Sequence, residues 1–349
     1  MIGQDNNFNE KPVIKVVGVG GGGGNAINRM IESDVKGVQF LTINTDSQVL
    51  RLAKSDERLQ IGKLITKGLG AGADPSVGER SAIENEEEIK DLLRGSDMVF
   101  VTAGMGGGTG TGAAPVVAKI AHELGALTIG IVTKPFTFEG GKRMKQALAG
   151  IEKLRQHVDT LIVIPNDKVL QGMDPKTSML DAFKAVDQVL LRGVQGIAEI
   201  ITVPGIINVD FADVKTVMKG KGTQALMGIG IGVGENRSVD AARQAIRSPL
   251  LEIDIKGATN AIIFITSDID VSMNEVITVM DEIRAASTSE LDIIYGTGFN
   301  PDLQGELIVT VIATGYNEEK EEAPEADSSE QIEGKKKREE SGEKPGWLI

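Results

Sequence analysis

The stretch GMGGGTGTGA, residues 104–113, contains six glycines and two threonines among its ten residues and no charged side chain. It lies between a strand-like segment, DMVFVTAG (97–104), and a helix-like segment, AAPVVAKIAHELG (113–125). Glycine lets the backbone approach a ligand closely. A helix that begins here directs free N–H groups and its dipole toward an anion. The stretch is therefore predicted to bind phosphate; the alternative is a merely flexible loop.

Strand-like and helix-like segments alternate around this stretch, from Val13 to about Pro165. The alternation predicts an α/β fold with a doubly wound parallel sheet covered by helices on both faces. Ligands of such sheets bind beyond the carboxyl ends of the strands. Several polar or glycine-rich segments fall at predicted strand ends, and we expect them to form one site: 20–25, 44–46, 104–112, 133–139 and Asn166.

A long periodic segment follows the first alternation. Apolar residues recur at steps of three or four from Met179 to Ile201, and Pro204-Gly205 ends the pattern, which predicts a long central helix. Strands and helices alternate again from about Ala225 to Gly315, which predicts a second, smaller α/β domain. The predicted order is a disordered arm (1–12), a nucleotide-binding domain (13–177), the central helix (178–204), the second domain (205–315) and a disordered acidic tail (316–349).

Composition excludes several classes of function. The 349 residues include no cysteine and only two histidines, so disulfides, thiolate nucleophiles and histidine-based zinc sites are not expected. A net charge of −13 argues against a nucleic-acid or anionic lipid partner. The polar N-terminus does not look like a signal peptide, and no apolar run approaches the roughly 20 residues of a membrane span, so we expect a cytoplasmic protein without membrane insertion.

A second glycine run, VVGVGGGGGNA (16–26), also follows a strand and opens a helix. Gly18, Gly20 and Gly23 have the spacing of dinucleotide-binding folds, and Asp46 follows roughly 25 residues later. An NAD-dependent oxidoreductase is therefore one alternative, but it leaves residues 104–112 unexplained. Two glycine loops favour a triphosphate held from both sides. Neither loop ends in Gly-Lys-Ser/Thr, so backbone amides are expected to meet most of the phosphate charge.

Residues of the central helix suggest which base is bound. Phe183 and Asp187 are four positions apart and share a helix face. An aromatic ring can stack on a purine, and a carboxylate can accept from the N1–H and 2-amino group of guanine. Asn166 could complete this recognition. The alternative is that Phe183 belongs to the apolar stripe and that Asp187 is solvated.

An acidic segment, GIINVDFADVKT (205–216), follows the central helix. Asp210 and Asp213 could cap the next helix, or they could polarise a water for attack on a phosphate. From Asp187 to Pro204 the helix spans roughly 25 Å. The two aspartates therefore cannot reach a phosphate bound in the same chain. Either they are not catalytic, or they serve a nucleotide bound by another subunit.

Five motifs together resemble the FtsZ family, the bacterial tubulin homologues of cell division: GGGTGTG (106–112), GVGGGGGNA (18–26), NTD (44–46), TKPFTFEG (133–140) and NVDFADV (208–214). The likeness covers about residues 12–315. It implies a GTPase that polymerises head to tail and forms a ring at the mid-cell division site. A relative that only scaffolds is a further alternative, and the retention of both aspartates argues against it.

The resemblance also implies a role for individual residues. The acidic loop of one subunit would complete the active site of its neighbour through Asp210 and Asp213, with Asn208 beside them. Mg²⁺ would sit on the GTP phosphates, held largely through water. The residues expected to bind GTP are Gly21, Gly22, Gly23, Gly24, Asn25, Gly108, Thr109, Gly110, Glu139, Arg143, Asn166, Phe183 and Asp187.

The end of the chain is expected to be a short docking peptide, because PGWLI follows the acidic tail and contains Trp347, the only tryptophan of the chain. By resemblance, such a peptide would bind division proteins and membrane anchors. Many relatives end in a longer Ile-Pro-x-Phe/Tyr-Leu-Arg-type peptide. Here only Pro345, Trp347 and Leu348 correspond to it.

Overall fold

The structure, a computed structural model, describes residues 11–171, 173–174, 176–202, 209–248, 257–287 and 291–316. Most of the predicted N-terminal arm, the tail from Asn317 onward with Trp347, and Asn208 lie outside the described residues. None of the helices in the described ranges is both long enough and apolar enough to cross a membrane.

Ten strands and twelve α-helices lie within the described ranges. The strands are β1 (Ile14–Val19), β2 (Gln39–Asn44), β3 (Glu57–Gln60), β4 (Met98–Gly104), β5 (Leu127–Lys134), β6 (Thr160–Pro165), β7 (Thr223–Gly232), β8 (Asn260–Ser267), β9 (Asp292–Phe299) and β10 (Leu307–Thr314). The helices are α1 (Gly20–Glu32), α2 (Ser47–Arg51), α3 (Lys63–Thr66), α4 (Pro75–Glu84), α5 (Glu86–Leu93), α6 (Thr109–Glu123), α7 (Gly141–Arg155), α8 (Asn166–Leu170), α9 (Met179–Thr202), α10 (Phe211–Met218), α11 (Arg237–Ile246) and α12 (Met273–Ala286).

One ten-stranded sheet connects all these strands, in the order β3-β2-β1-β4-β5-β6-β7-β10-β8-β9. The pairs from β3 to β6 are all parallel, which confirms the predicted doubly wound class. Strand β7 pairs with β6 only over residues 223–225, and β10 runs antiparallel between β7 and β8. The sheet therefore continues from the first predicted domain into the second. The predicted domain boundaries themselves remain predictions.

Alternate residues of the central strands point to two separate core layers, because successive side chains of a strand face opposite sides of a sheet. Val16 and Phe100 pack on one side with residues of α1, α9 and α10. Val17 and Val101 pack on the other side with residues of α5, α6 and α7. Burial on both faces explains why these strands have nearly continuous apolar sequences.

The predicted central helix is α9, which has 24 residues. Its buried face includes Val186, Leu190, Val194 and Ile197, at the spacing that the sequence predicted. The helix packs against the sheet closely, since a Cβ atom added to Gly196 would lie 3.1 Å from Cγ2 of Thr310 in β10. Helix α9 thus packs against strands on both sides of the point where the sheet passes from β6 to β7.

Candidate functional site

The two glycine loops lie against each other at the carboxyl edge of the sheet. Gly20 has a φ of 74°, and a Cβ atom added there would lie 2.7 Å from the backbone nitrogen of Gly110. A Cβ atom on Gly22 would lie 3.1 Å from Cα of Gly104. Such approaches are possible only because neither loop carries side chains there. The sequence predicted one site from both loops, and the structure brings them together.

Helices α1 and α6 begin in these loops, and no side chain caps either of them. The residues before them, Val19 and Gly108, make no side-chain capping hydrogen bond. The first N–H groups of a helix have no partner within the helix, so both helices can offer them to an anion. Gly21 and Gly22 are exposed here, whereas Gly23 and Gly24 are buried.

Two threonines hold the second loop in place. The Thr111 hydroxyl oxygen accepts a hydrogen bond from the Gly106 N–H at 2.7 Å. The hydroxyls of Thr109 and Thr45 are hydrogen-bonded to each other at 2.7 Å, and both residues are buried. This contact joins the loop after β4 to the loop after β2. Threonine therefore fixes a conformation that glycine alone would leave free.

A pocket of about 240 Å³ opens beside the loops and collects seven of the residues predicted to bind GTP. These seven residues come from four parts of the chain: the segments that follow β1, β5 and β6 at the same edge of the sheet, and the first half of α9. The full lining is Gly22, Asn25, Gly104, Met105, Thr133, Pro135, Glu139, Arg143, Asn166, Phe183, Val186, Asp187 and Leu190.

The end of the pocket near α9 contains two polar side chains, the buried Asn166 and the partly buried Asp187. Oδ1 of Asn166 is buried and has no hydrogen-bond partner within the described part of the chain. Burial raises the pKa of Asp187 to about 6, against a smaller opposing effect of the Arg29 guanidinium. Phe183 packs edge-on against Phe136, with ring centroids 5.1 Å apart. A buried acceptor normally has a partner, so the Asn166 oxygen, with the Asp187 carboxylate beside it in the pocket lining, fits a ligand that presents donors in this place.

A short segment after β5 forms another wall of the pocket. The Glu139 carboxylate accepts from the Phe136 N–H at 2.8 Å and pairs with Arg143 at 3.0 Å. The Thr137 hydroxyl donates to Asp167 of α8 at 2.6 Å. These contacts fix Glu139 and Arg143 in the wall of the pocket, where both can contact a polar ligand.

The predicted acidic pair lies away from the pocket. Helix α9 runs from the pocket to the opposite edge of the sheet, where a Cβ atom on Gly37, just before β2, would lie 2.5 Å from Cβ of Thr202. The end of α10 lies at that amino edge too, because the hydroxyl of Thr160, the first residue of β6, donates to the carbonyl of Met218 at 2.5 Å. Neither Asp210 nor Asp213 lines the pocket.

Both carboxylates of the pair are on the surface. Asp210 and Asp213 are exposed, and Asp210 occupies the position before α10 without capping that helix through its side chain. The capping alternative for Asp210 is therefore not realised. Asn208 lies outside the described residues.

The acid that suggested a dinucleotide site has another role. The Asp46 carboxylate accepts from the N–H groups of Gln48 and Val49, at 2.8 and 3.2 Å, and so caps α2. Among the described residues, no cluster of three or more histidine, aspartate or glutamate side chains could hold a metal ion.

Sequence reasoning did not assign Val186 and Leu190 of α9 to the pocket lining. It also did not find Arg29 of α1, which lies outside the lining with its Nε 3.9 Å from Oδ2 of Asp187. Arg29 is four residues after Asn25 on α1, so both side chains are on the same face of the helix, and this spacing was the signal that could have identified Arg29.

Comparisons with known proteins agree with this geometry. Residues 13–174 match the model for the tubulin/FtsZ family GTPase domain, and residues 223–317 match that for the FtsZ family C-terminal domain. An empty FtsZ dimer from M. jannaschii is 45% identical, covers 88% of this chain and 89% of its own, and has a TM-score of 0.84. A tryptophan-to-tyrosine mutant of M. jannaschii FtsZ is 46% identical, with coverages of 88% and 92% and a TM-score of 0.84.

A more distant neighbour shares the fold alone. CetZ2 from Haloferax volcanii, in a GTPγS-bound protofilament, is 21% identical, with a TM-score of 0.71 and coverages of 88% of this chain and 94% of its own.

Proposed function

The chain belongs to the tubulin/FtsZ family and is a GTPase, and we propose that it works as a head-to-tail polymer whose active sites form between subunits. The observation that carries this proposal is the separation of two groups of polar residues. The nucleotide pocket lies at the carboxyl edge of the sheet, and the exposed pair Asp210 and Asp213 follows α9 toward the amino edge. Stacking a second copy would bring the acidic pair of one subunit onto the pocket of the next.

The pocket suits GTP from base to phosphate. Asn166 and Asp187 would accept from the N1–H and 2-amino group of guanine, and Phe183 would contact the ring. Glu139 and Arg143 would face the ribose. The uncapped N-termini of α1 and α6 would donate to the phosphates through the residues predicted for the two loops, Gly21 to Asn25 and Gly108 to Gly110.

Hydrolysis requires a water activated for attack on the terminal phosphate. In the proposed assembly, the Asp210 and Asp213 carboxylates of the neighbouring subunit accept hydrogen bonds from this water and orient it, with Asn208 beside them. Mg²⁺, bound to the phosphates and held largely through water, would supply positive charge against the charge that develops there. Subunits would assemble with GTP at the contact, and hydrolysis would weaken that contact.

The cellular role is a further part of the proposal. We propose that the polymers form the bacterial division ring at mid-cell in the cytoplasm. The segment around Trp347 would bind division proteins and membrane anchors, while residues 316–349 would be dispensable for assembly. The motif resemblance supports this role, and the M. jannaschii dimer and the Haloferax protofilament support self-association in the family.

The proposal is tested by phosphate release from GTP across a range of protein concentrations, with ATP as the control nucleotide and polymer formation followed in parallel. A shared active site predicts negligible turnover per molecule in dilute solution and a rise above a threshold at which polymer appears. Turnover per molecule that stays constant on dilution would refute the shared site. Polymer without phosphate release would instead favour the scaffolding alternative.

A further inference from the structure

Arg29 does not line the pocket, but it contacts Asp187, a lining residue at the end proposed to bind guanine. It belongs to α1, the helix whose first residues form the predicted phosphate loop. Its Nε is 3.9 Å from Oδ2 of Asp187 on α9. Both side chains are partly buried, with 34% of Arg29 and 18% of Asp187 exposed. Helix α1 thus carries both the end predicted to bind phosphate and a guanidinium next to the carboxylate proposed to bind the base.

Arg29 has a second partner that holds it in place. Its Nη1 is 3.6 Å from Glu32, and Glu32 pairs with Lys54 at 2.9 Å. The backbone N–H of Lys54 also donates to the side-chain oxygen of Asn28 in α1 at 2.7 Å. Charges therefore alternate in sign from Asp187 to the segment before β3. The guanidinium has an anchor on its outer side that does not contact the nucleotide pocket.

The charge of Asp187 matters for the base that it would recognise. Only an ionised carboxylate accepts both guanine donors without presenting a proton of its own. Burial opposes ionisation and raises the pKa of Asp187 to about 6, while Arg29 lowers it. The other charged groups at this end of the fold have partners of their own. Glu139 pairs with Arg143, and Asp167 of α8 accepts from Thr137, while on α9 itself Lys184 pairs with Asp181. Lys168 follows Asp167 on α8 and does not line the pocket.

We propose that Arg29 is a positioning residue for guanine recognition, which keeps Asp187 ionised and turned toward the base. The inference rests on the proposed role of Asp187. It predicts that GTP affinity rises with pH as Asp187 ionises and reaches a plateau above its pKa. Without Arg29 the pKa of Asp187 is expected to rise further, so the midpoint of this rise moves to higher pH.

The experiment measures binding of a fluorescent GTP analogue to the full chain below the assembly threshold, from about pH 5 to pH 8, for Arg29→Met and Arg29→Lys. If Arg29→Met moves the midpoint up by one pH unit, its GTP affinity is about tenfold below that of the wild type at pH values under the midpoint. On the plateau above the midpoint the two affinities are nearly equal. Arg29→Lys keeps the charge and is expected to restore most of the wild-type profile. The matched control is Arg94→Met, because Arg94 pairs with Asp91 on the surface at 3.0 Å and contacts neither Asp187 nor the pocket lining; it is expected to leave the midpoint unchanged.

A second set of variants separates the inference from the proposed function. In an Asp187→Asn background, adding Arg29→Met should change GTP affinity no further, since the carboxylate through which Arg29 acts is gone. If Asp187→Asn alone binds GTP normally, the proposed base recognition fails. If Asp187→Asn loses affinity while Arg29→Met keeps the wild-type pH profile, only the inference about Arg29 fails. Equal weakening at every pH, unrelieved by Arg29→Lys, would mean that Arg29 supports α1 structurally and would overturn the inference.

Discussion

In the proposed site, some residues bind GTP and others take part only in its hydrolysis. Asp210 and Asp213 are exposed and lie outside the pocket. We expect Asp210→Asn or Asp213→Asn to lower GTP turnover by at least about a hundredfold, the usual cost of removing a group that assists proton transfer. GTP affinity should stay unchanged, because neither carboxylate contacts nucleotide within its own chain. Phosphate release and equilibrium binding measured on the same preparation check this, and an affinity loss that parallels the turnover loss would contradict it.

Asn166 offers a test of ligand recognition against stability. Its Oδ1 is buried without a partner among the described residues, a state that costs about 1–3 kcal/mol until a donor arrives. Replacement by alanine is therefore expected to leave the nucleotide-free protein as stable as before or slightly more stable. GTP binding should weaken about tenfold or more, since a hydrogen bond to the ligand is lost. Thermal unfolding with and without GTP separates the two effects; a large loss of stability without nucleotide would argue against a ligand-facing role.

At the residue scale, the sequence predicted contacts between residues that are close along the chain better than contacts between distant residues. Phe183 and Asp187 lie one helical turn apart, so their common position in the pocket followed from periodicity. Asp46 fitted a dinucleotide pattern by spacing alone, yet its carboxylate caps α2. The contact between Arg29 and Asp187 joins residues far apart in sequence. The raised pKa of Asp187 is caused mainly by burial, which cannot be read from the sequence alone.

At the scale of the secondary-structure elements, helix α1 packs so closely against β4 that its position requires glycine at the contact. A Cβ atom on Gly23 would lie 2.4 Å from the carbonyl oxygen of Thr102, a backbone atom that cannot move without displacing the strand. We expect Gly23→Ala to cost about 1–3 kcal/mol of unfolding free energy. Gly21→Ala is the matched control, because a Cβ atom there meets nothing within 4 Å. Denaturant unfolding of both variants without nucleotide tests this, and equal stability of the two would contradict the tight approach.

Helices α11 and α12 are joined by a buried arginine. Nε of Arg237 donates to Glu275 at 2.5 Å, and Nη2 donates to Asp270 at 3.0 Å. The hydrogen bond from Arg237 is the main reason that the pKa of Glu275 is lowered to about 2 from its ordinary 4.5. A carboxyl group whose pKa is lower in the folded protein stabilises the fold above its ordinary pKa and loses that contribution as the pH falls toward the folded value.

Glu275→Gln is therefore expected to cost on the order of 2 kcal/mol near neutral pH. Its difference from wild type should shrink as the pH falls from about 4.5 toward 2. Glu282→Gln is the matched control, since Glu282 pairs with Arg243 across the same two helices at 2.9 Å but in a more exposed place, where a pair contributes about 1 kcal/mol or less. Unfolding followed across this pH range tests the assignment; a difference independent of pH would refute it.

Periodicity predicted the long elements better than the short ones or the pairing. The apolar patterns of β1, β4, β5 and α9 correspond to buried strands and to one buried helix face. Strand β3 has only four residues and little apolar pattern, so nothing local marked it. The antiparallel insertion of β10 between β7 and β8 was also unpredictable, because strand order depends on contacts between distant residues.

For the whole molecule, the proposal requires that each active site take its nucleotide from one subunit and its acidic pair from another. Two inactive variants should therefore complement each other. Asp210→Asn keeps the nucleotide pocket but lacks one carboxylate of the pair, and Asp187→Asn keeps the acidic pair but binds GTP poorly. In a mixture, the GTP of the first variant can face the intact acidic pair of the second, because a heterologous contact uses different surfaces on its two sides.

We expect phosphate release from the mixture to exceed the sum of the separate variants at equal total protein, and to increase with concentration. The control mixture combines the double variant, Asp187→Asn with Asp210→Asn, and the single variant Asp210→Asn. No subunit of this mixture supplies an intact pair, so its turnover should stay at the background. Turnover in the first mixture equal to the sum of its parts, with both variants folded and assembling, would mean that each chain completes its own site. The separation of Asp210 and Asp213 from the pocket would then need an explanation other than catalysis between subunits.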